Sequence, residues 1–193
     1  MPMIFSVVEG HGEVKTVLLL LRRIALENNK SILAPEAMRV PKGRMKDDLG
    51  RILNLANIEF QTRNVTGAVV IVLDADDDCP AELGTLLREN ARQARDDIPV
   101  VIAVANREFE AWYLAGIQSL QGKHGLPSKI EPPKNPESIR DAKGWLRQQM
   151  GSYSPTIHQE KLAAVLDLQS ARQSQSFARF YDRVSQLIQQ LVT

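Results

Sequence analysis

Asp74, Asp76, Asp77 and Asp78 follow directly on six apolar residues, Ala-Val-Val-Ile-Val-Leu at 68–73. In extended chain, residues two apart point the same way, so Asp74 and Asp76 are expected to face one site together. Carboxylates held that close repel unless a proton or cation lies between them. At neutral pH Mg2+, or Mn2+ in its place, suits such a site, because a hard cation prefers oxygen ligands and often uses one or two carboxylates. Glu9 follows a second apolar segment, 3–8, and Glu108 and Glu110 follow a third, 100–105. In an open parallel sheet the ligand crevice lies beyond the carboxyl ends of the strands. Three strand ends therefore bring acids to one edge.

Each of these residues also has a plainer use. Glu13 falls in the first turn of a helix, where an acid favours the positive end of the dipole. Asp78 or Cys79 can cap a helix opening at Pro80. Cys79 reads as a small buried residue, since a thiol is a poor ligand for a hard metal. Arg39, Lys42, Arg44 and Lys46 form the densest basic run. It lies on the same edge as the acids, where it can contact phosphates or simply solvate a loop. His11, between two glycines, is an exposed loop residue within reach of a substrate. Arg88, Arg92 and Arg95 read as a solvated helix face, and Trp112 as core.

The elements that position these residues alternate. An apolar strand at 3–8 gives way to Glu-Gly-His-Gly-Glu and then a helix stopped by Asn28-Asn29. A short second strand is predicted at 37–40, held near an edge by Pro35 and Pro41. A helix at 44–60 precedes the buried strand, and another runs from Pro80 to about residue 95. A strand at 100–105 leads to a helix at 107–120 capped by Asn106. Continuous apolar strands alternating with helices predict an α/β fold with a mostly parallel sheet flanked by helices. Residues 122–136 hold two glycines and four prolines and break the pattern. A short helix at 138–150 follows, then one at 156–170 opened by a Thr156-x-x-Gln159 capping box. A terminal helix carries an apolar stripe from Phe177 to Leu191, suited to packing on the body or to a homo-oligomer interface. The expected organisation is an α/β domain at 1–121 and a proline-rich connection with a helical extension packed on it at 122–193.

A Walker A loop would need glycines at positions 9 and 14, which are Glu9 and Val14; a dinucleotide fingerprint from Gly10 would want a small residue where Lys15 stands. A receiver-domain reading lacks its lysine, since Asn106-Arg107 follows the last strand. The ordered set V-V-E-G (Glu9), V-L-D-A-D-D-D (Asp74, Asp76, Asp78) and R-E-F-E-A-W resembles the TOPRIM domain of topoisomerases, DnaG-type primases and nucleases of the overcoming-lysogenization-defect family. With E-G-H-G-E and S-F-A-R-F, it is similar over most of the chain to an uncharacterised bacterial TOPRIM-like family encoded beside ATPases in anti-phage defence loci. That resemblance implies a TOPRIM-like, Rossmann-like fold and metal-dependent phosphoryl transfer at a phosphodiester. It implies Mg2+ held by Asp74 and Asp76, and Glu9 as a general acid/base or second-metal ligand. Asp78 and Glu110 are further candidate ligands. Arg107, with Lys42, Arg44 and His11, is a candidate for substrate binding.

Composition neither adds to nor opposes this. Of 193 residues, 44% are hydrophobic, and 24 basic against 23 acidic residues leave a net charge of +1. Any basic surface for nucleic acid must therefore be local. One cysteine rules out an internal disulfide framework and fits a reducing compartment. No basic leader or membrane-length apolar run is present, so a cytoplasmic location and no membrane partner are expected. The expected function is Mg2+-dependent nuclease activity in an ATPase-linked defence system against phage or plasmids. Its rivals are a non-catalytic interaction subunit of an ATPase complex and hydrolysis of a small phosphorylated molecule.

Overall fold

The computed structural model describes residues 1–192. Four strands, β1 (Met3–Val8), β2 (Met38–Arg39), β3 (Gly67–Asp74) and β4 (Val100–Ala105), form one all-parallel sheet in the order β2-β1-β3-β4. The fold is α/β, as the uninterrupted apolar runs predict. β3 lies between two neighbours, and its alternate side chains feed two cores. Ala68, Val70 and Val72 face one layer, and Val69, Ile71 and Leu73 face the other.

The helices between the strands are α1 (Glu13–Glu27), α2 (Lys42–Arg63) and α3 (Pro80–Ala94). α1 ends at Asn28, with Asn29 at φ +55°, a backbone conformation that asparagine tolerates. α2 buries Met45, Leu49, Ile52, Leu53, Ala56 and Phe60 and covers one face together with α3. The other face carries α1 and the chain beyond β4.

That later chain departs from its predicted elements. The helix expected at 107–120 starts only at Ala111 and is split into α4 (Ala111–Ala115) and α5 (Ile117–Leu120). Asn106 caps neither. Arg107 takes φ +64° and its carbonyl accepts the Asp76 N–H at 2.9 Å, so these residues latch onto the acid loop instead of coiling. A 3-10 turn at Pro136–Ser138 precedes α6 (Ala142–Met150), whose Asp141 cap accepts the Gly144 N–H at 2.7 Å. α7 (Pro155–Val165) has Ser154, not Thr156, at its cap position, without a side-chain capping bond, and Pro155 in its first turn. Gln159, the supposed partner in a capping box, turns inward. After a break, α8 (Leu168–Ala171) and α9 (Gln175–Val192) complete the chain.

The α9 stripe is consumed internally: Phe177, Phe180, Tyr181, Val184, Leu187 and Ile188 are buried in the core shared with α1, β1 and β3. Trp112 anchors that core. Its ring stacks on Phe180 at 5.1 Å, meets Phe109 at 4.5 Å and Phe177 at 5.2 Å, and its Nε1 donates to Ser176 Oγ at 2.8 Å. The expected division at 121/122 thus corresponds to no break in the core. Trp112→Ala is expected to cost about 3–5 kcal/mol, read as a lower urea midpoint. An unchanged midpoint would mean that Trp112 does not bridge the two parts of the chain.

Candidate functional site

At the carboxyl edge of the sheet, β1, β3 and the turn after β4 deliver acids to a common region. Asp74, the last residue of β3, accepts the Phe109 N–H at 2.7 Å. Beside it stands the ammonium of Lys143, from the first turn of α6. Its Nζ is 3.0 Å from Glu110 Oε2, 3.1 Å from Glu108 Oε1 and 3.5 Å from Asp74 Oδ2. Glu108 also accepts the Lys143 backbone N–H at 3.1 Å. Glu110 is fully buried, and its Oε1 accepts from Tyr153 Oη at 2.9 Å and Gln159 Nε2 at 2.8 Å. Glu13, also buried, accepts the Gly10 N–H at 3.0 Å, which folds the Glu-Gly-His-Gly-Glu turn back on itself.

Burial sets the electrostatics of this inner cluster. It raises the Asp74 carboxyl well above its usual range, with the Glu13 charge adding to it and Lys143 opposing it. Burial likewise pushes Glu13 up to about 7, against the hydrogen bond from Gly10. Burial works against the charge of Lys143, but Glu110 and Asp74 outweigh it and hold the ammonium above its ordinary range. Glu9 is half-buried and raised by desolvation and then by Asp76, with Lys42 acting in the opposite sense. Its Oε2 is buried and has no hydrogen-bond partner.

A second, outer cluster lies on the loop after β3. Lys42, the first residue of α2, places Nζ 2.9 Å from both Asp76 Oδ2 and Asp78 Oδ2 and 2.6 Å from the Ala75 carbonyl. Asp77 accepts from Arg107 at 3.4 Å and Arg140 at 3.3 Å. These residues line a cleft of about 210 Å³ with Asp76 and Glu108. A separate cleft of about 290 Å³ over the inner cluster is lined by Glu9, His11, Glu13, Asp74, Lys143 and Gln159.

The expected pairing of Asp74 with Asp76 is therefore not what forms. The strand ends at Asp74, and Asp76 takes φ +54°, so the two-residue alternation stops and its carboxylate turns to Lys42. Glu9 links the clusters electrically. Asp78 binds Lys42 instead of capping α3, whose cap position is Cys79, exposed and without a side-chain capping bond. Glu110 is committed to Lys143, Tyr153 and Gln159. Arg107 pairs with Asp77, and exposed Arg44 pairs along its own helix with Asp48 at 3.4 Å. His11 is exposed on the rim.

Sequence reasoning missed Lys143 and Tyr153, placed Gln159 in a capping box, and read Glu13 as a helix-capping acid. One signal was present. Lys42 and Lys143 both occupy the first turn of a helix, the end that repels cations. A lysine there needs a carboxylate to hold it.

Among the described residues, no three His, Cys, Asp or Glu side chains converge as a ready-made metal cage. The donor set still fits a divalent cation that keeps several waters and takes one or two carboxylates from the protein. Glu9 offers a buried oxygen with no partner, and Asp74 a carboxyl whose ionised form is disfavoured without added positive charge.

Fold and site together define an α/β protein with an acidic cleft at the carboxyl edge of a parallel sheet. Within that class, residues 8–185 match the family described as a domain of unknown function, DUF4276, and the chain belongs to that family. No curated protein and no solved structure matches it.

Two outcomes test the inner cluster. Glu13 has its folded pKa raised above the unfolded value near 4.5, so the folded state holds a proton that the unfolded state releases. Stability then falls as pH rises from about 4.5 through about 7, by about 3 kcal/mol in all. Melting without divalent ions from pH 5 to 8 should show this decline, and Glu13→Gln should flatten it; an equal slope in both would remove Glu13 as its source. Lys143→Met leaves Glu110 buried and uncompensated, an expected loss of about 3–5 kcal/mol. In a double-mutant cycle, Glu110→Gln should recover part of that loss, and strict additivity would show that the pair does not interact.

Proposed function

We propose that this protein is a Mg2+-dependent nuclease that hydrolyses phosphodiesters in nucleic acid, in line with its resemblance to TOPRIM-like proteins. The observation that carries the reading is the excess of buried carboxylate at the sheet edge. Asp74, Glu108 and Glu110 gather around one partly exposed lysine, with buried Glu13 close by, while Glu9 presents an unpartnered oxygen beside them. Asp74, with Glu9 as a second ligand, would hold Mg2+ or Mn2+, while Asp76 stays on Lys42. When bound, the ion supplies charge stabilisation at the transferring phosphoryl group. Asp78 and Glu110 serve the site at one remove, by fixing Lys42 and Lys143. In the alternative arrangement, with Asp74 alone on the ion, Glu9 is the general acid/base, its carboxyl raised by burial so that it can exchange a proton with an attacking water or a leaving oxygen. Lys143, Lys42, Arg107 and the rim residue His11 would orient the phosphate.

No helix among the described residues is long and apolar enough to cross a membrane. The proposal places the protein in the cytoplasm as effector of a defence system against phage or plasmids, controlled by a separately encoded ATPase. A second reading, a non-catalytic subunit of such a complex, draws on the ion pairing of Lys42 and Lys143, which satisfies much of the acidic charge internally.

Purified protein, with and without the ATPase encoded beside it, would be incubated with labelled DNA, RNA and tRNA in Mg2+ or Mn2+. Cleavage is expected, with a loss of at least about a hundredfold in Glu9→Gln and Asp74→Asn and unchanged circular dichroism. Undiminished cleavage in both variants would overturn the site. No cleavage by any form, with normal binding of the ATPase by both variants, would establish the non-catalytic subunit.

A further inference from the structure

β4 is the outer strand of the sheet, and among the described residues no further strand covers its free edge. α3 and α9 flank it, and between them runs a groove of about 390 Å³ lined by Thr85, Arg88, Ile102, Asn106, Arg179 and Arg183. A second hollow of about 320 Å³ continues along 99–102 and shares Arg88, Ile102 and Arg183 with the first. The groove thus follows most of the strand.

Three arginines from two helices face this groove, and none has a carboxylate partner among the described residues. Arg51, Arg63, Arg95 and Arg172 each sit against an aspartate or glutamate, whereas Arg39, Arg92 and Arg147 also lack such a partner among the described residues, so what sets Arg88, Arg179 and Arg183 apart is their convergence on one groove. Arg179 and Arg183 are one turn apart on α9, so their like charges share a face and repel. The Arg183 guanidinium is held below its ordinary range by burial and then by the charges of Arg88 and Arg179. The acid lining the groove, Glu137, is already occupied, accepting from Ser174 Oγ and the Ser176 N–H, each at 2.7 Å. An arrangement of cations that repel one another, with unused guanidinium donors, is complementary to a polyanion.

A peptide strand adding to the edge of β4 is disfavoured, because Arg183 Nη1 already donates to the Ile102 carbonyl at 3.0 Å. Phe180 is buried beneath the groove and offers no open ring for a base to stack on. What the groove presents is charge for a phosphate backbone. Its upper end, at Pro80 and Asn106, adjoins Arg107 in the cleft of Asp76, Asp77 and Arg140. A strand lying in the groove would therefore lead towards the acidic edge.

We infer that the groove between α3 and α9 along β4 binds the sugar-phosphate backbone of a nucleic-acid strand through Arg88, Arg179 and Arg183. For the identity of the polymer this rests on the nuclease reading; the charge arrangement stands without it.

The test is fluorescence anisotropy with a short labelled single-stranded DNA or RNA in EDTA, where binding is read without cleavage. Arg88→Ala combined with Arg179→Ala removes two exposed guanidiniums and spares Arg183, which plugs the strand edge. Affinity is expected to fall by about tenfold or more, and the slope of log K against log salt to shrink by about 1.4. The corresponding double lysine variant should keep most of the binding, and both variants should melt with the wild type. Failure of the wild type to bind either polymer at low salt, or equal binding by the alanine variant, overturns the groove. So does equally effective competition by polyglutamate, which would make it an acidic-peptide site. Binding lost in the alanine variant, with no cleavage by wild type in Mg2+ or Mn2+ with or without the ATPase, leaves the groove standing and removes the nuclease. Cleavage that depends on Glu9 and Asp74 but not on the arginines does the reverse.

Discussion

The carboxyl edge of the sheet depends on one ammonium group. Lys143 reaches Asp74, Glu108 and Glu110 at once, and each comes from a segment that the fold has already fixed. Glu110 has no exposed surface, so its charge is tolerable only because Lys143, Tyr153 and Gln159 surround it. Tyr153 and Gln159 flank the start of α7, and Tyr113 ties back to the Gln159 carbonyl at 2.9 Å. The lysine thus joins the strand ends to the helices beyond residue 122. Residues 122–192 are integral to the site, since Lys143, Tyr153 and Gln159 among them hold Glu110.

The fold was legible because its strongest signals are local. The uninterrupted apolar runs at 68–73 and 100–105 mark strands covered on both faces, and β4 has the limits predicted for it. The gathering of Glu9, Asp74, Glu108 and Glu110 was legible from their places at strand ends. Legibility failed where geometry departs from the element it follows. Asp76 lies two residues past Asp74, yet its left-handed backbone turns it to a different partner. Likewise the strong-looking helix at 107–120 yields its first turn to Arg107, whose carbonyl closes the acid loop.

Pairings across long sequence separations left fainter traces. The contact between Lys143 and Asp74 spans 69 residues, and no periodicity encodes it. Two lysines at the repelling end of helices α2 and α6 are nevertheless a local conflict, and local conflicts tend to mark functional or strained sites. Each is resolved by acids at the sheet edge: Asp76 and Asp78 for Lys42, and Asp74, Glu108 and Glu110 for Lys143.

The lengths of these contacts also rank the acids as possible ligands. Glu110 holds Lys143 at 3.0 Å and is itself held by two neutral donors, so releasing it would strand a buried charge. Asp74 is the loosest of the three partners at 3.5 Å, and its remaining hydrogen bond comes from a backbone N–H that stays in place whatever the carboxylate meets. An incoming cation or phosphate can therefore engage Asp74 while Lys143 stays anchored on Glu108 and Glu110. The lysine would then remain as a fixed positive charge beside the bound ion. That division of labour, with Glu110 as anchor and Asp74 as the free face, separates the three carboxylates more sharply than their positions at the strand ends do.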